Sequence, residues 1–201
     1  MLKIRCSQLG LLMTKAKSGG GLSETAKGMV KDIVREQFFG VRKNISNKAI
    51  EKGIRCEDES IKLLNDFLFT DYVKHVGRVE NDYITGECDI LSASIHDIKT
   101  SYSIATFPLF EDELQNNHYE WQMRGYMWLY DKPRAYVDYC LVDTPEDLIG
   151  WEQQELHIVS HLPVENRVRS IFYDRDADKE AQIASMVINA REYYEQLKAV
   201  L

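Results

Sequence analysis

Apolar side chains recur at intervals of three and four residues in four stretches of the chain, a spacing that predicts amphipathic helices. These predicted helices cover residues 24–39, 56–68, 117–130 and 178–200. Ser23 is a suitable N-cap for the first of them, and Pro133 follows the end of the third. A further short helix is expected to begin at Ser46 and to end near Gly53.

Other stretches are rich in β-branched and aromatic residues, which predicts strands. They cover residues 72–80, 82–91, 94–100, 134–142 and 153–160. Turns are expected near Asn81 and near Ser92, so the first three strands form a meander, while SGGG at 18–21 predicts a flexible loop. The order is helices, meander, helix, strands and a final helix, which indicates a mixed α/β or α+β sandwich.

The length and charge of the chain suggest how it is organised. Its 201 residues, 44% of them hydrophobic, are enough for a single domain spanning 1–201. Within it, residues 1–70 are predicted to be mainly helical and basic, and residues 71–201 to form the sheet core and the C-terminal helix. The net charge of −7 divides into +6 for residues 1–62 and −13 for the rest. This asymmetry indicates either a region that faces a polyanion or ordinary solvated helix faces.

The same composition limits compartment and cofactors. No apolar run approaches the about 20 residues that a membrane span needs, and MLKIRCSQLG lacks the apolar segment of a signal peptide. We therefore expect a cytoplasmic protein without a membrane partner. The cysteines form no CxxC pair, so buried free thiols are expected rather than a zinc or iron–sulfur site. They are Cys6, Cys56, Cys88 and Cys140.

Candidate chemistry is concentrated in TGECDILSASIHDIKTS at 85–101. Asp97 and Lys99 alternate on one strand and share a face, and Asp89 lies near the end of the preceding strand. If the strands pair as a hairpin, the two carboxylates approach and require a cation or proton between them. Oxygen ligands suit Mg²⁺ or Mn²⁺, and the Ile98 carbonyl could add another.

Lys99 would then lie beside the attacking water, where it could orient or deprotonate it. Together these groups are suited to metal-assisted hydrolysis of a phosphodiester. The alternative is an exposed hairpin with ordinary surface charges, because short acidic motifs often match by chance.

Two flanking helices add further candidates, each with a simpler alternative. Glu57 falls in line with the apolar stripe of its helix and is either a ligand of the metal or its water, or a surface residue. Gln122 either contacts substrate or is a buried, hydrogen-bonded amide. Tyr126, one turn further along, either contacts substrate or belongs to the core.

Taken together in their order, these motifs resemble the PD-(D/E)xK nuclease superfamily and, within it, the lambda-exonuclease-like family of phage recombination exonucleases. The resemblance covers most of the chain, from Ile4 to the C-terminal helix. The motifs are IRCSQLGLLMT with Ser7, G-x3-E at Gly53 and Glu57, TGECDI with Asp89, IHDIKTS with Asp97 and Lys99, and Q-x3-Y at Gln122 and Tyr126. Cys88 stands where the family name expects proline, and Asp97 where glutamate is commoner.

The resemblance implies a restriction-endonuclease-like α/β core, with a mixed central sheet flanked by helices, and a Mg²⁺- or Mn²⁺-dependent deoxyribonuclease. It implies the following site, with one or two ions. Asp89, Asp97 and the Ile98 carbonyl bind the metal, Glu57 holds a second ion or its water, Lys99 activates the nucleophile, and Ser7, Arg5, Gln122 and Tyr126 contact substrate, Arg5 near the 5′-phosphate.

The implied substrate is double-stranded DNA with a free end. The family also implies homo-oligomers that enclose DNA, a single-strand annealing protein as partner, and phage or prophage recombination in a bacterial host cell. Two alternatives remain: an endonuclease or junction-resolving enzyme with the same core, and a non-catalytic DNA-binding scaffold.

Overall fold

Two short sheets and the helices around them form the fold, in a computed structural model that describes residues 1–17, 19–43 and 46–201. The helices are α1 (Leu9–Leu12), α2 (Glu24–Phe39), α3 (Lys48–Arg55), α4 (Glu57–Leu68), α5 (Glu111–Leu114), α6 (Asn117–Tyr130), α7 (Glu146–Ile149) and α8 (Ala177–Lys198). The strands are β1 (Ile4–Arg5), β2 (Val79–Glu80), β3 (Ile84–Gly86), β4 (Ile90–Leu91), β5 (Ile95–Thr100), β6 (Arg134–Cys140) and β7 (Val168–Asp174).

The four long predicted helices are present as α2, α4, α6 and α8. Ser23 caps α2 as expected, since its hydroxyl accepts the Ala26 N–H at 3.0 Å. The short helix α3 is capped by Asn47 rather than Ser46 and continues past Gly53 to Arg55. Ser18, the first residue of the predicted loop 18–21, lies outside the described residues.

The strands form two mixed sheets flanked by helices, which agrees with the mixed α/β class expected. One has the order β1-β3-β2, and the other has the order β4-β5-β6-β7. In the second sheet β5 and β6 are parallel, and the other neighbours are antiparallel. Because α6 lies between β5 and β6 along the chain, it provides the crossover that a parallel pair requires.

The predicted meander is much shorter than expected. Within 72–80 only Val79–Glu80 is a strand, and within 82–91 the backbone forms two short strands, β3 and β4. The predicted strand at 94–100 is confirmed as β5. The turn near Ser92 is also present, where the Ser92 N–H donates to the Ser94 carbonyl at 2.9 Å.

The predicted strand at 153–160 is wrong. Its first part is a 3₁₀ turn, Gln154–Leu156, and the last two backbone N–H groups donate to a side chain rather than to a neighbouring strand. The N–H groups of Val159 and Ser160 donate to one carboxylate oxygen of Asp143, at 2.6 and 2.8 Å. A strand does form later as β7, which pairs along its whole length with β6 and which the sequence pattern did not reveal.

The two faces of the larger sheet are covered by different helices. On the face of Asp97 lies α6, whose Gln122 side chain reaches that carboxylate. On the opposite face lies α4, where Ser60 and Thr100 join their hydroxyls at 2.8 Å. Alternation along β5 therefore places Asp97 and Lys99 on one face, as the sequence predicted, and the structure shows that α6 covers that face.

The hydrophobic core is divided in the same way. The larger cluster joins α2, α6 and α8 to the inner face of the sheets, and the smaller one lies under α4. All four cysteines are buried free thiols, as expected. None of the described helices is long and apolar enough to cross a membrane.

Close packing of α1 against α6 explains why residue 10 is a glycine. A methyl group added at Gly10 would overlap the backbone of His118, whereas one added at Gly28 in α2 would meet no atom within 4 Å. We expect Gly10→Ala to lower the free energy of unfolding by about 1–3 kcal/mol. Gly28→Ala, the matched control, should raise it by about 0.5–1 kcal/mol. Denaturant titrations of both variants check this, and a neutral Gly10→Ala would contradict the packing of these helices.

Candidate active site

Asp89 meets the edge of β5 because the β4–β5 hairpin is short. The strands pair through Ile90↔His96 and Leu91↔Ile95, so Asp89 lies just before the paired region. Its carboxylate accepts the Ile98 N–H at 2.7 Å. Because the N–H and C=O of a residue in an extended strand point to the same edge, the Ile98 carbonyl faces this side as well.

Asp97 is buried on the adjoining part of β5, with 1% of its surface exposed. One carboxylate oxygen accepts a hydrogen bond from Gln122 Nε2 at 3.2 Å. The other lies 2.5 Å from Lys99 Nζ, but the approach lacks the angles of a hydrogen bond. Among the described residues this oxygen has no hydrogen-bond partner, which is unusual for a buried polar atom.

The two carboxyl groups destabilise each other's charge. Burial, followed by the negative charge of Asp97, raises the pKa of Asp89 to about 7, against the effect of the Ile98 N–H. Burial also raises the pKa of Asp97, although Lys99 opposes the change. Both shifts have the same sign, so the folded protein favours a proton or another cation at this position.

Lys99 is placed by contacts on two sides. Its ammonium group lies beside Asp97 and 4.6 Å from the centre of the Tyr119 ring, a cation–π arrangement. Burial alone would lower the pKa of Lys99, but the charge of Asp97 and the contact with it raise the pKa above its ordinary value. The side chain keeps 23% of its surface exposed, so it can reach a bound molecule.

Glu57 is the first residue of α4 and lies at the rim of the site. Its carboxylate pairs with Lys74 Nζ at 2.6 Å instead of joining Asp89 and Asp97. Accordingly, no three His, Cys, Asp or Glu side chains of the described residues converge on one metal position. Asp89 and Asp97 alone supply two hard oxygen ligands, one of them without a hydrogen bond, and such a pair fits Mg²⁺ or Mn²⁺.

These groups open into a cleft of about 470 Å³. Its walls come from α3, from the start of α4, from β5 and from α6. The lining residues are Ala49, Ile50, Gly53, Ile54, Glu57, Asp89, Asp97, Ile98, Lys99, Thr100, Tyr119, Gln122 and Tyr126. A polar floor with a lysine and two carboxylates, under walls that include exposed isoleucines, is suited to a phosphodiester flanked by apolar groups.

One solved structure resembles this arrangement over nearly the whole chain. A phage-related exonuclease from Haemophilus somnus is 34% identical, with a TM-score of 0.92 over 98% of this chain and 96% of that chain. The chain belongs to the lambda-exonuclease-like family of PD-(D/E)xK nucleases. Membership confirms the resemblance and the fold class that the motifs predicted.

More distant structures share the family's fold. An alkaline exonuclease from Laribacter hongkongensis is 15% identical, with a TM-score of 0.71 over 98% of this chain and 92% of its own. Its complex with dAMP is 16% identical over the same shares, with the same TM-score. No protein-family model matches the chain, and no curated protein matches it by sequence.

The structure brings together six of the residues to which the family resemblance assigned side-chain roles. Asp89, Asp97, Lys99, Glu57, Gln122 and Tyr126 all line the cleft. Gln122 also donates to the Tyr126 hydroxyl at 3.0 Å, so one amide group links that hydroxyl to Asp97. The backbone of Ile98 completes the set.

Two residues predicted to contact substrate do not line this cleft. Ser7 is exposed in the 3₁₀ turn Cys6–Gln8. Arg5 bonds to Gln8 Oε1 at 3.1 Å and to Glu36 Oε2 at 3.3 Å, and it lines a separate groove of about 420 Å³ near the N-terminus. Their assignment to substrate stays a prediction.

The structure also adds residues that sequence reasoning missed. Tyr119 could have been found, because it precedes Gln122 by three positions and shares its helix face. Lys74 could not, because its contact with Glu57 depends on the path of a loop. The exposed apolar residues of α3, Ile50 and Ile54, gave no signal beyond their membership of a helix.

The raised pKa of Asp89 predicts how stability depends on pH and metal. Between its ordinary value of 3.8 and about 7 the unfolded chain loses a proton that the folded protein retains. In EDTA the free energy of unfolding should therefore fall by about 2–4 kcal/mol across this range and stay low above it. Mg²⁺ should raise the melting temperature more at pH 8 than at pH 5.

Calorimetry of the wild type and Asp89→Asn, each with EDTA and with Mg²⁺, isolates this group from other titrations. In the Asp89→Asn protein, the rise in melting temperature caused by Mg²⁺ should no longer be larger at pH 8 than at pH 5. An equal Mg²⁺ effect at both pH values in the wild type would contradict a divalent site at Asp89.

Proposed function

We propose that this chain is a metal-dependent exonuclease that hydrolyses phosphodiester bonds at the ends of linear duplex DNA. The observation that carries the proposal is the meeting of Asp89, Asp97 and Lys99 in one cleft. Family membership supports the same activity, because the relative with 34% identity is a phage-related exonuclease.

Mg²⁺ or Mn²⁺ is the cofactor that this donor set fits. Asp89, Asp97 and the Ile98 carbonyl would hold one ion. Glu57 would reach a second ion only after separating from Lys74. When bound, such an ion lowers the pKa of the attacking water and offsets the charge of the phosphate.

The chain's own residues supply orientation and charge. Lys99 is protonated at neutral pH because the charge of Asp97 raises its pKa. It therefore donates hydrogen bonds to the attacking water or to a phosphate oxygen and stabilises the negative charge that develops there. Of the two roles that the sequence left open for Lys99, orientation is favoured over deprotonation.

Gln122 fixes the carboxylate on which this geometry depends. Its amide nitrogen donates both to Asp97 and to the Tyr126 hydroxyl, so the amide cannot rotate without losing a bond. A carboxylate held in one rotamer keeps its other oxygen beside the Lys99 ammonium group.

A basic groove supports a path for the DNA backbone. Four cations line it, together with two acids: Arg5, Arg35, Arg42, Lys43, Asp32 and Glu36. Phosphates bind mainly through such side chains, and the net charge of +6 over residues 1–62 has the required sign. The two acids pair with arginines of the groove and leave these six residues a net charge of +2. Because the remaining attraction for phosphates is electrostatic, binding should weaken as salt is raised.

The proposed setting follows the family. It is phage or prophage recombination in the bacterial cytoplasm, with a homo-oligomer around the DNA and a single-strand annealing protein as partner. The substrate is duplex with a free end.

The test compares end-labelled linear duplex with covalently closed circles, with Mg²⁺ or EDTA, for the wild type and Lys99→Ala. Loss of linear DNA alone, dependent on both metal and Lys99, supports the exonuclease. Cutting of the circles would replace it by an endonuclease with the same core. Binding without any cleavage would replace it by a DNA-binding scaffold.

A further inference from the structure

Lys52 of α3 is a charged residue with 0% of its surface exposed. Its ammonium group donates to the carbonyls of Ser101 at 2.8 Å, Tyr102 at 3.1 Å and Val142 at 2.7 Å. An ammonium group has three protons, so these bonds use all of them. Burial lowers the pKa of Lys52 to about 8, which leaves it charged at neutral pH.

Such a group is costly as a core filler. Taking a charge out of water costs several kcal/mol, and an apolar side chain of similar volume would fill the space without that cost. The three hydrogen bonds, rather than the volume of the side chain, therefore account for a lysine at this buried position. They join one helix to three backbone positions that are distant in sequence.

Those positions lie at the ends of the two central strands. Ser101 and Tyr102 follow β5, the strand that carries Asp97 and Lys99, and Val142 lies two residues beyond the end of β6. The carbonyls at the C-terminal ends of these parallel strands form a cluster of acceptors, and Lys52 binds α3 to it.

The opposite face of α3 is a wall of the cleft. At 100° per residue, Ile50 and Ile54 lie about 160° around the helix from Lys52 and Gly53 lies about 100° from it, and all three line the cleft. Two exposed side chains of α3 make further contacts on the Lys52 side of the helix. Lys48 donates to the Ile149 carbonyl at 3.1 Å, and Arg55 pairs with Asp147 at 2.6 Å. Lys52 lies between these two residues along the helix and makes the buried contact.

We propose that Lys52 is a positioning residue that sets the width of the substrate cleft by holding α3 against the ends of β5 and β6. This rests on the proposed function, since the cleft is taken as the DNA site. Asp89, Asp97 and Lys99 do not lie on α3. Loosening the helix therefore affects how the DNA end is bound more than how the bond is cleaved.

The test is the dependence of the initial cleavage rate on the concentration of duplex ends. Lys52→Met should raise KM by about 10-fold or more and change kcat by less than about 3-fold. Partial unfolding would instead lower the apparent kcat and leave KM unchanged. The Kd of a fluorescent duplex end in EDTA should rise in parallel with KM.

Arg191→Met is the matched control. Arg191 also donates to backbone carbonyls, those of Leu2 at 2.9 Å and of Asp82, but it does not line the cleft. This variant should be less stable than the wild type and keep its KM. A comparable rise in KM for both variants would overturn the proposal, because it would reflect lost stability alone.

Lys52→Gln, which keeps amide donors, should give a smaller rise in KM. If neither Lys52 variant folds, the double variant Lys48→Met/Arg55→Ala decides, because it loosens the same helix face through exposed residues. An unchanged KM in whichever of these variants folds overturns the proposal. A wild type that cleaves no DNA refutes the proposed function instead, so the two failures are distinguishable.

Discussion

Lys99→Ala is expected to lose cleavage by about 10²- to 10⁴-fold while keeping its fold and most of its affinity for DNA. The substitution removes the ammonium group beside Asp97 and little core volume, since the side chain is 23% exposed. Burial already raises the pKa of Asp97, so this carboxyl can take up a proton when its partner is absent.

Single-turnover rates on end-labelled duplex measure this loss. Circular dichroism measures whether the fold is kept, and DNA binding in EDTA measures the affinity. Lys31→Ala is the matched control, because Lys31 is an exposed lysine of α2. It should cleave at the wild-type rate. A Lys99→Ala protein that did the same would remove Lys99 from the mechanism.

Asp97→Asn should change two properties in opposite directions. Divalent metal binding and cleavage should be lost, because the amide replaces a buried charged ligand. In EDTA at pH 8, however, the variant should be more stable than the wild type. The sign follows from the raised pKa of Asp97: folding opposes its charge, and a neutral side chain of the same shape relieves that cost.

Thermal unfolding in EDTA and calorimetric titration with Mn²⁺ test both parts. Asp138→Asn is the control, since Asp138 is equally buried on β6 but is bonded to His96 at 2.8 Å and Ser170 at 2.5 Å. Its replacement should lower stability because the amide nitrogen of asparagine cannot accept one of those two bonds. A less stable Asp97→Asn protein in EDTA would contradict the destabilised carboxylate pair.

The sequence predicted the parts of the site that depend on local spacing. Alternation along β5 placed Asp97 and Lys99 on one face, and the hairpin before it brought Asp89 alongside. The helical spacing of Gln122 and Tyr126 placed both on the cleft side of α6. In each case a short repeat along one element, or one tight turn, was sufficient.

What the sequence did not predict depends on contacts between distant segments. Strand β7 exists because seven of its residues pair with β6, and the apolar pattern at 153–160 was the stronger local signal. Lys52 and Lys74 looked like two ordinary helix and loop lysines. Lys52 binds the Ser101 carbonyl 49 positions away, and Lys74 binds Glu57 17 positions away. Contacts over such separations leave no periodic pattern in the sequence.

The four buried thiols make site-specific labelling of this protein straightforward. Burial raises the pKa of Cys6, Cys56, Cys88 and Cys140, so little reactive thiolate is present at neutral pH. A cysteine introduced on an exposed helix would be the preferred target of a maleimide dye. Single-molecule tracking of the protein on DNA could then begin without replacing the native cysteines.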